Sequence, residues 1–104
     1  MRKKTSIPKQ IEVGAHKVPI IFKSDIFSHA IAYGLFDKDK MAIYIDEELE
    51  NDGSLAWETF WHEVLEVLNY VTEAGMEHRD IQTIGLLLHQ VFDSAFADKI
   101  IDSR

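Results

Sequence analysis

The chain has 104 residues, 46% hydrophobic and 28% charged, with a formal net charge of −7, which suits one compact domain and is too short for two cores. It contains no cysteine, so a disulfide framework and a thiolate metal site are both excluded, and any metal must sit on His, Asp or Glu. The negative balance opposes a general nucleic-acid binder, because phosphate recognition needs a cationic face.

Met1-Arg2-Lys3-Lys4 opens the chain on basic residues, but Thr5 to Gln10 follow in place of the apolar stretch of a secretory signal. Residues 1–10 therefore read as a solvated, mobile tail ahead of a single domain at 11–104. No run approaches membrane-spanning length, and a cytoplasmic location is the expectation.

Ile11 and Val13 alternate with polar neighbours, Gly14-Ala15-His16-Lys17 can turn, and Val18 to Phe22 form a second β-branched run, which predicts a hairpin. A polar stretch at Ser24-Asp25 opens a short helical turn. Ala30 to Phe36 and Met41 to Ile45 then read as strands, joined by Asp37-Lys38-Asp39-Lys40 into a second hairpin.

Asn51-Asp52-Gly53-Ser54 breaks the chain, and Asp52 or Ser54 can cap a helix that runs to about Thr72, with Gly75 as its stop. Trp57, Phe60, Val64, Leu68 and Val71 make its expected buried stripe. A last helix from about His78 to Lys99 repeats the pattern with Ile81, Ile84, Leu88, Val91 and Ala95. The expected fold is α+β, a small antiparallel sheet of two hairpins packed against two carboxy-terminal helices.

His62-Glu63-Val64-Leu65-Glu66 carries the chemistry. Residues i and i+4 share a helix face, so His62 and Glu66 can grip one metal ion while Glu63 is placed to activate water. On a helical wheel this pair falls in a polar stripe with Glu58, Asn69 and Glu73, which on an ordinary amphipathic helix is a solvated face. Bulky Trp61 and Leu65 flank the stripe, an arrangement natural to a cleft wall.

A catalytic zinc site needs three protein ligands. His78 and His89 are the candidates for the third. A straight helical hairpin folded near Gly75 sets His89 beside His62, whereas His78 comes close if the connection folds back across the helix. Otherwise His89 is a core or interface histidine and His78 a helix-capping residue. His16 and His29 fall in turns.

Four pieces recur in a known order: the hairpin around Ile11 to Phe22; Ala32-Tyr33-Gly34 leading to Ala42-Ile43-Tyr44-Ile45; Glu58-Thr59-Phe60-Trp61-His62-Glu63-Val64-Leu65-Glu66; and Glu77-His78-Arg79-Asp80-Ile81-Gln82. With these the sequence resembles a zincin metallopeptidase, and it is most similar to short phage and prophage members related to the ImmA/IrrE-type peptidases. The resemblance covers nearly the whole chain from Ile11 onward; only the helix segment is a specific motif.

The family pattern reads H-E-x-x-H, with a third ligand, commonly Glu, at the start of the next helix. Here Glu66 stands where the second His is expected and His78 about where that Glu is expected, so the two departures are reciprocal. The resemblance thus implies a minimal zincin-like fold, zinc on His62, Glu66 and His78, and Glu63 as general base and acid, in a phage protein acting in a host cytoplasm. A peptide substrate would add to the sheet edge around Ala30 to Phe36, and Tyr33, Tyr44, Tyr70 and Arg79 are the candidate oxyanion donors. Two other readings stand beside this one. The first is a zincin-like binding module without turnover. The second is a metal-free phage-encoded adaptor or inhibitor that offers Asp46, Glu47, Glu48, Glu50 and Asp52 to a basic partner, residues that otherwise form only a solvated loop.

Overall fold

The computed structural model describes residues 7–26, 32–51 and 53–96. Gly14, at φ +61°, supplies the left-handed backbone that closes the first hairpin. Strand β1 (Gln10–Val13) pairs antiparallel with β2 (His16–Lys23), so His16 opens β2 where a turn residue is expected. The second hairpin joins β3 (Gly34–Asp37) to β4 (Ala42–Asp46). Its turn is held by the Asp37 side chain, whose Oδ1 accepts from the backbone N–H groups of Asp39 (3.0 Å) and Lys40 (3.2 Å).

Both expected hairpins form, and they meet through a parallel ladder between β2 and β4, with Ile20 opposite Ile43 and Lys23 opposite Asp46. The four-stranded sheet is therefore mixed, in the order β1-β2-β4-β3. Parallel pairing needs a crossover between the hairpins, because a tight turn can join only antiparallel neighbours. Its consequence for function is that β3 stands at a sheet edge. That strand starts at Gly34, and the Ala30 and Ile31 positions of the expected strand lie outside the described residues.

A 3₁₀ turn over Glu47–Asn51 leads into helix α1 (Gly53–Thr72). Ser54 lies within that helix, and Asp52, the other expected cap, is outside the described residues. The core lies between the sheet and α1: Val18, Ile20, Ile43 and Ile45 face Ala56, Phe60, Val64 and Val67, with Ile7, Val13 and Leu49 closing the ends. The packed domain thus includes Ile7, ahead of the expected start at Ile11, and the backbone carbonyl of Lys9 accepts from the Ile20 N–H at 2.9 Å. Residues 1–6 of the expected tail are outside the described residues.

Helix α2 (His78–Ala95) packs chiefly on α1 and forms a third layer. This corrects both expected stripes. On α1, Val67 is buried and Leu68 is exposed; on α2, Ile81 and Gly85 are buried while Ile84 and Val91 face solvent. Residue spacing identifies the positions that share a helix face, but a helix covered by one neighbour buries only the line of contact. Gly85 marks that line, since a Cβ there would sit 3.2 Å from the His62 Cα. The last helix is described to Ala95, short of the expected Lys99. No helix among the described residues is long and apolar enough to cross a membrane.

Two β-branched positions on α2 should respond differently to truncation, because one is buried and the other exposed. Ile81→Ala is expected to lower the unfolding free energy by about 3 kcal/mol through loss of a buried side chain, and Val91→Ala to change it by less than ~0.5 kcal/mol, both read from urea unfolding curves.

Candidate metal centre

His62 and Glu66 lie one helical turn apart on α1, and the His62 Nε2 is 3.5 Å from the Glu66 Oε2. The third member arrives through the connection between the helices. After Thr72 the chain reverses through Glu73 (φ +55°) and Gly75 (φ +72°), both left-handed. Asn69 then clamps the connection: its Oδ1 accepts from the Met76 N–H at 2.8 Å and its Nδ2 donates to the Met76 carbonyl at 3.3 Å. Two residues later His78 opens α2, with Nδ1 3.7 Å from the same Glu66 oxygen. The connection folds back, and His78 rather than His89 comes to the His62–Glu66 pair.

One ligand atom each from His62, Glu66 and His78 lie within 4.8 Å of one another, so the group could hold a metal ion. The two imidazole rings meet edge to face, with centroids 5.3 Å apart. Tetrahedral zinc with bonds of ~2.0 Å spaces its donors by ~3.3 Å, close to the two separations from Glu66. The His78 side chain is 72% exposed and those of His62 and Glu66 are half-buried, which leaves one side of the group open. Burial holds the His62 imidazole below its ordinary range, with Glu66 opposing and His78 adding to the effect. A neutral imidazole has the free lone pair that a metal ligand requires.

Glu63 is buried, only 6% exposed. Burial first, and the nearby Glu66 carboxylate second, push its pKa up to about 8. Gly34 on β3 makes this placement possible, since a Cβ there would lie 2.6 Å from the Thr59 Cγ2 and 2.9 Å from the Glu63 Oε2. Edge strand and helix approach as closely as the missing side chain allows.

His62, Glu63 and His78 line a cleft of about 380 Å³, whose walls include Tyr33 and Gly34 on one side and Gln82 on the other. A second depression of about 300 Å³ continues past the same three residues to Leu35, Phe36 and Glu66. The edge strand therefore runs alongside the whole group.

Of the four candidate oxyanion donors, Tyr33 lines the cleft. Tyr44 lies under the Lys23 ammonium, 5.2 Å from the ring centroid, Tyr70 packs edge-on against Phe36, and Arg79 is an exposed partner of Glu77. His89 lines a separate apolar cavity of about 490 Å³ with Trp57, Phe60, Trp61, Phe92 and Phe96, and His29 is outside the described residues. Sequence reasoning assigned no part to Gly34, Thr59, Gln82 or the Asn69 clamp. The single available signal was Asn69 in the polar stripe of α1, where an amide looks solvated until its loop partner is known.

No protein-family model matches this chain, and searches of curated proteins and of solved structures returned no match either.

The folded protein binds the Glu63 proton more tightly than the unfolded chain does, so without metal its contribution is full below the ordinary carboxylate range and is lost as pH rises through about 8. Urea unfolding in chelator is expected to show wild type losing on the order of 4 kcal/mol more than Glu63→Gln between pH 5 and pH 8.

Proposed function

We propose that this protein is a zinc-dependent peptidase whose ligands are His62, Glu66 and His78 and whose general base is Glu63. The observation that carries this reading is the convergence of three donor atoms within 4.8 Å beside a buried carboxylate, in a cleft bordered by a strand at the sheet edge among the described residues. Two imidazoles and one carboxylate are a donor set that zinc hydrolases use.

Zinc held by these donors would supply Lewis acidity, polarising a substrate carbonyl and acidifying water at neutral pH. Glu63 takes a proton from the water that adds to the carbonyl carbon, and returns it to the amine as the C–N bond breaks. A divalent cation beside Glu63 favours its ionised form and so offsets the effect of burial. Tyr33, on the cleft wall, is the candidate donor to the developing oxyanion. The edge of β3 offers an extended peptide main-chain hydrogen bonds in front of the group.

Of the acidic residues in the adaptor reading, Glu47 and Glu48 are exposed and Asp46 is not. Asp46 is only 2% exposed and accepts from the Glu48 N–H at 2.9 Å, which makes it a structural group of the 3₁₀ turn rather than a docking charge.

Elemental analysis of protein purified without chelator is expected to give near-stoichiometric zinc in wild type and Glu63→Gln and little in His62→Ala or His78→Ala. Peptide hydrolysis is expected in zinc-loaded wild type alone, with at least a ~100-fold loss in Glu63→Gln. Zinc bound without hydrolysis of any peptide would make the domain a binding module, and no zinc uptake at all would remove the metal site. Asn69→Ala removes no donor, yet is expected to weaken zinc binding ~10-fold in competition titrations, because it frees the connection that presents His78.

A further inference from the structure

Building on the peptidase reading, we propose that Glu58 selects the substrate, so that the preferred peptide carries Lys or Arg within one or two residues of the cleaved bond. Glu58 lies one turn before His62 on α1, ~6 Å along the helix axis, and lines the same cleft as His62, Glu63 and His78. The residue is half-buried as a whole, and no hydrogen bond or ion pair engages its carboxylate among the described residues. No Lys or Arg lines this cleft among the described residues either.

A carboxylate that lines a cleft and is left without a partner gains most from a cation that brings charge-assisted hydrogen bonds. The wall around it fits the rest of such a side chain. Leu55 and Leu86 present apolar surface for a methylene stem, Leu86 being 54% exposed, and Gln82 adds an amide oxygen that can accept from an ammonium or guanidinium. An acidic side chain would meet the like charge of Glu58, and an apolar one would strip water from Glu58 without replacing it. The net charge of −7 draws cationic peptides toward the molecule before they reach the cleft.

The test uses three labelled peptides identical except for Arg, norleucine or Glu at one position. Cleavage by zinc-loaded wild type is followed by mass spectrometry, and binding to zinc-loaded Glu63→Gln by fluorescence anisotropy. The Arg peptide is expected to be preferred about tenfold over norleucine in both assays, with the preference falling as salt rises. Glu58→Gln should reduce it to within about twofold, and Glu58→Lys should turn it toward the Glu peptide. Zinc content and the thermal midpoint of Glu58→Gln, both expected to match wild type, show that its fold and metal group are intact.

Equal use of the three peptides by wild type, or an unchanged Arg preference in Glu58→Gln, overturns the role of Glu58 while leaving hydrolysis in place. An Arg preference in binding with no peptide cleaved keeps Glu58 and removes the peptidase. Failure of every peptide to bind or to be cleaved overturns both.

Discussion

Asn69 binds the backbone N–H and carbonyl of Met76 with the two ends of its amide, and that clamp holds the connection that leads from α1 into α2. Each hydrogen bond is worth only ~1 kcal/mol net. What matters is direction: the pair fixes the connection two residues before His78, so that the first side chain of α2 reaches Glu66. Gly75 takes its left-handed backbone without strain, while Glu73 takes the same region against the preference of an L residue. The reversal is therefore held from two sides, by backbone conformation and by a side chain. Without it, His62 and Glu66 would be an ordinary pair on a polar helix face.

A second constraint acts across the cleft from the first. Gly34 lets the edge strand close on α1, and that closeness encloses Glu63. Low polarity then moves two neighbouring groups toward neutrality: the His62 imidazole sheds its proton more readily and the Glu63 carboxylate keeps its own. In a metal-free protein both groups would thus lie nearer neutrality than they do in water. The group could hold a metal ion there, with two imidazoles and the Glu66 carboxylate between them as donors and the Glu63 carboxyl group beside them.

Glu66 occupies the middle of the group, within 4 Å of both imidazoles. A carboxylate on α1 and an imidazole at the start of α2 leave the number of donors and their total charge as they would be with the two types exchanged. The side chains differ in reach, and His78, being largely exposed, is the most adjustable of the three. The open side of the group faces the cleft where Glu58, Leu55 and Leu86 sit, so chemistry and selection would share one surface of α1.

The α+β class, both hairpins and the extent of the first helix were legible in the sequence, because alternation, turn residues and helical spacing are local properties of the chain. So was the pairing of His62 with Glu66, which helical geometry imposes on any i, i+4 residues. Three things were not. The parallel ladder between β2 and β4 joins segments whose own patterns are silent about neighbours. The burial of Ile81 but not Ile84 or Val91 depends on how wide a surface α1 offers, which no periodicity encodes. Spacing alone left the choice between His78 and His89 to a connection held by Asn69, a residue indistinguishable in sequence from any solvated amide, and only the resemblance pointed to His78. Local physics determined what each segment is and which side chains share its faces. Tertiary structure alone decided which faces meet, because a contact between distant residues depends on loop backbone and close approach, at Gly34, Gly75 and Gly85, that the side-chain pattern does not record.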